Sequence, residues 1–367
     1  MKKKAMALTV AAMMAAAMIT GCGQTAATTV ETAADTTVQT EESTADTEST
    51  AADTAAADGE SYTIGISQFA EHGSLDNCRT GFLEGLKEAG IEEGVNLTVL
   101  FDNAQADTAT ASMISDNYVS QKVDLICAIA TPSAMSAYNS CLDSDIPVIY
   151  TAVSDPVSAG LVADLNAPGA NITGTSDELD TTAVMKLITA ASPDVKKIGL
   201  LYDKSQDSSK VPVADAIAYC EENGIEYIEK TGTTNAEVSA AADALVAEGV
   251  DAVFTPTDNT IMTAELAIFE KFADAKIPHY TGADSFALNG AFLGYGVNYT
   301  ELGTATADMA ADILVNGADP AATAVRTLDS GIVTVNTETA AAVGIDDSVF
   351  KDMCEELKEV TTAEEFE

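Results

Sequence analysis

From residue 61 onward, short runs of apolar residues alternate with longer segments in which apolar positions recur every three or four residues. The apolar runs include 62–67, 96–101, 124–130 and 146–152, and the segment 75–90 has helical spacing. Short buried strands that alternate with helices of this length are typical of βαβ units. The pattern therefore predicts an α/β fold with a parallel sheet and helices on both of its faces.

The same pattern occurs a second time further along the chain. The run 197–202 corresponds to 62–67, and later helical and apolar segments follow in the same order up to residue 255. Local matches support the repeat, such as Val123-Asp124 with Val250-Asp251. Apolar and helical segments continue beyond residue 291, so the chain has length to cross between the two halves more than once. We expect two similar α/β lobes with a cleft between them.

The first 60 residues have a different character. Three lysines, Lys2 to Lys4, precede an apolar run that ends in Ile19-Thr20-Gly21-Cys22. This arrangement predicts a secretory signal over residues 1–21. Its ending resembles the bacterial lipoprotein processing box, which implies a lipid chain, palmitate included, on Cys22; an ordinary signal peptide with a chance cysteine is the alternative. Residues 22–60 are rich in Thr, Ala, Glu and Asp, so they predict a disordered tether.

The formal net charge of −41 excludes nucleic acid as a partner, because phosphate binding needs clustered Lys and Arg. It does not argue against a membrane, since a lipid chain on Cys22 needs no basic surface. After Cys22 the chain has five cysteines, an odd number without CxxC spacing, and these are expected to be free thiols rather than disulfides or zinc ligands.

In an open parallel sheet, ligands bind beyond the carboxyl ends of the strands. The loops at those ends are rich in hydroxyl, carboxylate and amide groups, and they comprise residues 67–72, 131–133, 151–156, 202–206, 255–259 and 283–285. Such groups can hold a small polar molecule, with hydroxyls and helix N-termini receiving a carboxylate and an Asp receiving an ammonium. The alternative is that many of them are helix N-caps. His72 either lines the cleft or only caps and packs.

Catalytic and cofactor signatures are poor. Gly65-Ile66-Ser67 lacks the closing glycine of a nucleophile elbow, and the two histidines, His72 and His279, are far apart in sequence. Neither a Walker A motif nor an EF-hand loop is present. The sequence therefore predicts a protein that is not an enzyme, with no cofactor and no metal.

Residues distributed over nearly all of 61–340 carry a resemblance to one family. They include Ile66-Ser67-Gln68, Glu71-His72, Ala130-Thr131-Pro132-Ser133-Ala134, Val153-Ser154-Asp155-Pro156, Gly160-Leu161-Val162, Pro168-Gly169-Ala170-Asn171-Ile172-Thr173-Gly174, Thr255-Pro256-Thr257-Asp258-Asn259, Ile277-Pro278 and Leu302-Gly303. In this order they resemble the substrate-binding lipoproteins of ABC transporters of the tryptophan/tyrosine type.

This resemblance implies a type I periplasmic-binding-protein fold, with two Rossmann-like lobes joined by a multi-strand hinge. The first lobe would comprise residues 61–173 plus about 299–328, and the second residues 174–298 plus about 329–367. Hinge crossings are expected near 173–176, 297–299 and 328–331. Closure of the lobes around a ligand would be recognised by a permease that works with its ATPase, and the protein would be a monomer held outside the cytoplasm by its lipid anchor.

Ligand-binding residues follow from the resemblance by position. They are Ser67, Gln68, Thr131, Ser133, Val153 and Asp155 on the first lobe, and Asp258, Asn259 and Asp284 on the second. Family members are associated with aromatic amino acids, so Phe69, Tyr202, Tyr295 and Tyr299 are candidate stacking faces. Since the chain contains no Trp, a Trp-lined pocket is excluded.

Three other functions are compatible with parts of the pattern. A lipid-anchored sensor would use the same cleft to signal to a receptor. An extracytoplasmic enzyme is disfavoured by the missing nucleophile and base. A repressor core shares the fold, but the chain has an export signal and no DNA-binding helix pair.

Overall fold

A computed structural model describes residues 60–328 and 330–365. The predictions for the signal segment 1–21, for lipidation of Cys22 and for the tether lie outside the described residues, apart from Glu60 at the tether's end. Thirteen strands are present in the described part of the chain. They are β1 (Tyr62–Gln68), β2 (Leu97–Asn103), β3 (Leu125–Ile129), β4 (Val148–Thr151), β5 (Ile172–Ser176), β6 (Lys197–Tyr202), β7 (Glu226–Thr231), β8 (Ala252–Thr255), β9 (His279–Thr281), β10 (Leu293–Gly296), β11 (Arg326–Thr327), β12 (Ile332–Asn336) and β13 (Glu356–Val360).

Ten α-helices connect and cover these strands in the same part of the chain. They are α1 (Gly73–Glu88), α2 (Thr108–Gln121), α3 (Thr131–Cys141), α4 (Thr181–Ala191), α5 (Asp207–Asn223), α6 (Asn235–Glu248), α7 (Asn259–Ala275), α8 (Asp284–Leu288), α9 (Tyr299–Asn316) and α10 (Thr337–Val343). Two short 3-10 helices cover Pro320–Ala322 and Asp347–Phe350. The predicted alternation of strands and helices is confirmed.

The strands form two sheets. The first has the order β11-β5-β4-β3-β1-β2, and all of its strand pairs are parallel. The second has the order β13-β12-β10-β9-β8-β6-β7. These two sheets confirm the predicted α/β class with two Rossmann-like halves.

One pair in the second sheet departs from the expected parallel arrangement, because β10 and β12 are antiparallel. Parallel neighbours are normally joined by a helical crossover, which returns the chain to the same end of the sheet. β12 instead enters the second sheet directly from β11 of the first sheet. The sequence pattern also did not identify α4, β9 or β13. β9 has only three residues, and β13 is a largely polar edge strand.

The chain passes between the sheets at three places: between β5 and β6, between β10 and α9, and between β11 and β12. The helix α9 packs against α1, β4 and β5 on the first-sheet side. Because β5 runs to Ser176, the first sheet extends past the lobe boundary expected at residue 173. The elements around the first sheet form the first lobe, and those around the second sheet form the second lobe. Movement of the two lobes about a hinge stays a prediction.

The buried strands supply the hydrophobic cores. All five residues of β3 are buried, as are the last five of β1. A large apolar cluster runs from beneath the first sheet to helices α6 and α7 of the second lobe, and another lies on the remaining face of the second sheet. The large cluster therefore spans both lobes.

The five cysteines of the described part are free; Cys78, Cys127, Cys141 and Cys220 are buried and Cys354 is half-buried. None of the helices in residues 60–328 and 330–365 combines the length and apolar character that a membrane span requires. Those same residues contain no group of three or more His, Cys, Asp or Glu placed to hold a metal ion.

Candidate functional site

A small cavity lies between the two lobes, where loops and helix N-termini follow the carboxyl ends of the strands. Its volume is about 20 Å³, which is room for little more than a water molecule. The first lobe contributes His72, Ser74, Leu75, Ala130, Thr131, Ala152, Ser154, Asp177 and Tyr299. The second lobe contributes Ser208, Thr257, Asp258, Asn259, Met262, Ala283 and Phe286. The lining thus combines carboxylates and hydroxyls with an apolar group of Leu75, Met262 and Phe286.

One polar cluster in the cavity wall is centred on Asp177, the residue after β5. Its carboxylate accepts hydrogen bonds from the Ser154 hydroxyl at 3.0 Å and from the Tyr299 hydroxyl at 3.0 Å. The Ser154 and Thr257 hydroxyls are 2.8 Å apart, which links the cluster to the second lobe. Burial raises the pKa of Asp177, while the two hydroxyl donors act in the opposite direction. Each carboxylate oxygen accepts one bond here, so both retain a free lone pair.

Asp258 is a second carboxylate of the cavity wall, and each of its two oxygens accepts two hydrogen bonds from the protein. One oxygen accepts the backbone N–H groups of Thr260 and Ile261, both at 3.0 Å, and so caps α7. The other accepts the backbone N–H of Asp203 at 2.7 Å and the Ser209 hydroxyl at 2.6 Å. Burial raises the pKa of Asp258 to about 6, although these bonds oppose the shift. With four donors in place, Asp258 organises the wall and has little capacity left for a ligand.

Three buried polar atoms of the cavity lining have no hydrogen-bond partner within the protein. They are Nδ1 of His72, Oγ1 of Thr131 and Oγ of Ser208. Buried polar atoms are nearly always paired, so such atoms need an explanation. Thr131 and Ser208 lie in the first turns of α3 and α5, where unpaired N–H groups and the helix dipole favour an anion. The cavity therefore offers hydrogen-bonding capacity that the protein leaves unused.

The backbone is strained at two positions of the cavity wall. Ala130 follows β3 with φ of 80°, and Ala152 follows β4 with φ of 55°. Positive φ is uncommon for residues other than glycine, and such strain tends to occur at functional sites.

Further hydrogen bonds hold the two lobes together around the cavity. The Ser74 hydroxyl donates to Asp284 at 2.8 Å, and it lies 2.6 Å from the Ser285 hydroxyl. Nε2 of His72 lies 3.2 Å from Oδ1 of Asn259. Burial raises the pKa of Asp284. The lobes are therefore in direct contact in this structure.

A wider groove of about 420 Å³ adjoins the cavity on one side and shares Thr131 with it. Its first-lobe wall contains Phe69, Pro132 and Met135, and its second-lobe wall contains Gln206 and Asp207. On another side, His72 and Met262 separate the cavity from a groove of about 250 Å³.

Four of the candidate ligand-binding residues line the cavity: Thr131, Asp258, Asn259 and Tyr299. His72 lines it as well, which is the first of the two alternatives given for it. Asp284 lies next to it through its bond to Ser74, and Phe69 lines the adjoining groove. Others do not line it. Ser67 and Ser133 bond each other at 3.3 Å, and Val153 is part of the apolar core.

The remaining named residues are used within their own lobes. Gln68 donates to Asp76 at 2.9 Å and accepts from Arg79 at 2.7 Å. Asp155 accepts the backbone N–H of Ser158 at 2.8 Å in an exposed turn. The Tyr202 hydroxyl donates to Glu229, and Tyr295 packs in the core of the second lobe.

Asp177, Ser154 and Ser208 are polar site residues that the sequence analysis does not single out, and the same holds for the apolar group of Leu75, Met262 and Phe286. Ser154 lies in the loop 151–156, beside the named Val153 and Asp155. Asp177 directly follows β5, and a carboxylate at the end of a buried strand is the signal that could have identified it. The hinge crossing expected near 173–176 ends directly before this residue.

Comparison with known proteins adds to this geometry. Residues 63–355 match the family described as ABC transporter substrate binding protein. A tyrosine-binding protein of Clostridioides difficile (strain R20291) is 36% identical over 341 residues, which cover 93% of this chain and 92% of the relative.

Two solved structures are informative about conformation. One is an ABC domain from Streptococcus pneumonia in complex with L-Trp, with 32% identity, a TM-score of 0.76, and coverage of 81% of this chain and 100% of that chain. The other is a ligand-free, open substrate-binding protein with adhesive properties from Clostridium difficile, with 37% identity, a TM-score of 0.63, and coverage of 82% of this chain and 100% of that one. The chain is thus closer in shape to the L-Trp complex, despite the lower identity. Hydrogen bonds between the lobes agree with that likeness.

The match over most of the chain, the identity to curated and solved relatives, and the two-sheet architecture agree with one another. The chain belongs to the family of ABC transporter substrate-binding proteins.

Proposed function

We propose that this protein captures an amino acid, an aromatic one, between its two lobes and delivers it to a membrane permease without converting it. One observation carries the proposal: three unpartnered polar atoms and a carboxylate with free lone pairs line one cavity between the lobes. The names of the relatives, a tyrosine-binding protein and an L-Trp complex, support the ligand class.

The groups of the cavity fit the parts of an amino acid. The ammonium group pairs with Asp177, whose carboxylate has the free capacity that Asp258 lacks. The ligand's carboxylate accepts hydrogen bonds from the hydroxyls of Thr131 and Ser208 at the N-termini of α3 and α5. The side chain packs against Leu75, Met262 and Phe286.

Ligand entry requires motion, because the cavity is smaller than any of these ligands. The lobes separate, the ligand binds, and the lining side chains repack as the lobes close. Since the ligand contacts both lobes, it stabilises the closed state, and a permease can recognise that state.

Calorimetric titration with the twenty amino acids tests this function. We expect saturable binding of an aromatic amino acid, with the compound recovered unchanged afterwards. The double variant Thr131→Val with Ser208→Ala should weaken binding by at least about tenfold, since two hydrogen bonds to a carboxylate are lost. Ser144→Ala, between α3 and β4 and outside the cavity lining, is the control. A protein that binds no amino acid, or that converts one, contradicts the proposal.

The proposed location is outside the cytoplasm, with a lipid chain on Cys22 holding the protein to the cell membrane. The motif Ile19-Thr20-Gly21-Cys22 after an apolar run supports it. Cells given labelled palmitate should label the protein but not its Cys22→Ala variant. Recovery of both proteins, unlabelled, in the soluble fraction contradicts the anchor.

Delivery to a permease has its own test. Uptake of the labelled amino acid should fall in cells that lack this protein and should return when it is restored. Unaltered uptake, with loss of a transcriptional response to the amino acid, would favour the sensor instead.

A further inference from the structure

We propose that His72 determines specificity within this cavity, by presenting a bare Nδ1 lone pair that accepts a hydrogen bond from a neutral donor on the ligand's side chain. An indole N–H and a phenol O–H are such donors, and a plain phenyl ring has none. This inference rests on the proposed function and extends it from the class of ligand to the residue that discriminates within the class.

A series of hydrogen bonds from His72 into the second lobe fixes the position of the ring hydrogen. Nε2 of His72 meets Oδ1 of Asn259 at 3.2 Å, and Nδ2 of Asn259 donates to Oε1 of Gln206 at 3.0 Å. Nε2 of Gln206 donates to the Thr260 hydroxyl at 2.8 Å, and that hydroxyl donates to Asp203 at 2.8 Å. Whether each side chain donates or accepts at one bond therefore depends on the role that its neighbour takes.

The direction of this series is set independently at two points. The Asp203 carboxylate can only accept, so the Thr260 hydroxyl must donate to it and must accept from the amide nitrogen of Gln206. The backbone N–H of Asn259 can only donate, and it lies 3.3 Å from Oε1 of Gln206. Both constraints give the same orientation of the Gln206 amide.

That orientation fixes the remaining members. Because Oε1 of Gln206 faces Asn259, the Asn259 side chain must direct its Nδ2 there and its Oδ1 toward His72. An amide oxygen only accepts, so Nε2 of His72 carries the hydrogen. Burial lowers the pKa of His72, which favours a neutral ring. Nδ1 is then an acceptor, and it is buried without a partner in the protein.

The other unpartnered atoms cannot discriminate in this way. The hydroxyls of Thr131 and Ser208 can donate as well as accept, so they can pair with a hydrogen-bond donor or an acceptor on the ligand. A bare imidazole nitrogen accepts only. A ligand that places a plain hydrocarbon edge against it leaves a buried acceptor unpaired, which is costly.

The ligand's ammonium group is directed elsewhere by charge. Asp177 carries the carboxylate with free lone pairs, and its hydrogen-bonded cluster with Ser154, Thr257 and Tyr299 shares no bond with His72 or Asn259. A carboxylate is a stronger partner for an ammonium than a neutral imidazole. His72 is therefore left for the side chain.

Two substitutions separate the ring nitrogens of His72. His72→Gln places an amide near the Nε2 position, so it can keep the bond to Asn259 while it removes the Nδ1 acceptor. His72→Asn places an amide near the Nδ1 position and is the matched control. Calorimetry with Tyr, Trp and Phe on the purified protein and both variants, each checked for folding by circular dichroism, gives the comparison.

We expect the unmodified protein to bind Tyr or Trp at least about tenfold more tightly than Phe. His72→Gln should reduce that preference to within about threefold, and His72→Asn should retain most of it. Equal losses for all three ligands in His72→Gln would overturn the proposal, since His72 would then contact a group that the three ligands share. A retained preference in His72→Gln would overturn it as well.

Nitrogen-15 NMR of the imidazoles gives a readout that needs no ligand. The chain has two histidines, so comparison with His72→Gln assigns the His72 signals. We expect a protonated Nε2 and an unprotonated Nδ1; the reverse tautomer or a doubly protonated ring contradicts the inference. If the unmodified protein binds none of the three amino acids, the proposed function fails, and the specificity role fails with it, while the NMR result still decides the tautomer.

Discussion

Two buried carboxylates of similar appearance in the sequence have different roles in the cavity wall. Asp258 accepts four hydrogen bonds from its own lobe and caps α7. Asp177 accepts two and has lone pairs left. An aspartate after a strand can therefore be structural or can bind ligand, and the count of its donors distinguishes the two.

The first prediction concerns Asp177. Asp177→Asn removes the negative charge that meets the ligand's ammonium, so amino-acid affinity should fall by about ten- to a hundredfold. Asp155→Asn is the control, because Asp155 lies in an exposed turn and does not line the cavity. Isothermal calorimetry measures both. An unaltered affinity in Asp177→Asn, or a comparable loss in Asp155→Asn, would contradict this assignment.

At the scale of elements, the contact between α1 and α9 depends on glycine. A Cβ atom on Gly303 would lie 2.1 Å from the backbone oxygen of Cys78, and one on Gly81 would lie 2.0 Å from the backbone oxygen of Thr300. The two helices are therefore closer than any side chain on those residues allows. This contact brings Tyr299, at the start of α9, to Asp177.

The second prediction is that Gly303→Ala destabilises the protein by at least about 2 kcal/mol, since the helices must move apart to accept a methyl group. Urea unfolding measures the free energy. Asp308→Ala on the exposed face of the same helix should alter it by no more than about 0.5 kcal/mol, because its ion pair with Arg326 is at the surface. Equal stabilities of Gly303→Ala and the unmodified protein would refute the close contact.

Across the whole molecule, the pKa values of buried and exposed carboxyl groups are shifted in opposite directions. Burial raises the pKa of Asp177, Asp258 and Asp284, all around the junction of the lobes. Exposed Asp107 and Asp346 instead have a lowered pKa because nearby N–H and hydroxyl groups donate to them. The two groups titrate in separate ranges of pH.

The third prediction follows for Asp258, whose pKa rises from 3.8 to about 6 on folding. Between these values Asp258 binds more protons in the folded protein than in the unfolded chain, so its contribution to stability is greatest at the acidic end of this range and declines as pH rises through about 6. The contribution of Asp258 to the free energy of unfolding should therefore be lower at pH 7 than at pH 5, by about 1 kcal/mol. Urea titrations at both pH values measure it.

Asp258→Asn isolates that contribution, since the change in the free energy of unfolding from pH 5 to pH 7 should be more positive in the variant than in the unmodified protein, by about 1 kcal/mol. This comparison is needed because the lowered pKa of His72 acts in the opposite direction over the same range. Exposed Asp107 and Asp346 have a pKa below 3.8, so they do not titrate between pH 5 and pH 7. Equal changes from pH 5 to pH 7 in the two proteins would contradict the prediction.

Much of the fold was accessible from the sequence because its signals are local. Buried strands such as β1 and β3 are continuous apolar runs, and the second half repeats the pattern of the first. β13 was missed because its side chains are mostly polar, and the antiparallel pair of β10 and β12 because strand direction depends on where the chain returns from.

The α/β class, the family resemblance and the loops where a site could form all follow from the sequence, because their signals are local. The sequence also identified Thr131, Asp258, Asn259 and Tyr299, which do line the cavity. Which polar atoms remain unpaired depends on the folded lobes, because Gln68, Asp155 and Tyr202 find their hydrogen-bond partners only there. The hydrogen-bond direction that leaves Nδ1 of His72 bare likewise depends on residues of both lobes, which only packing brings together.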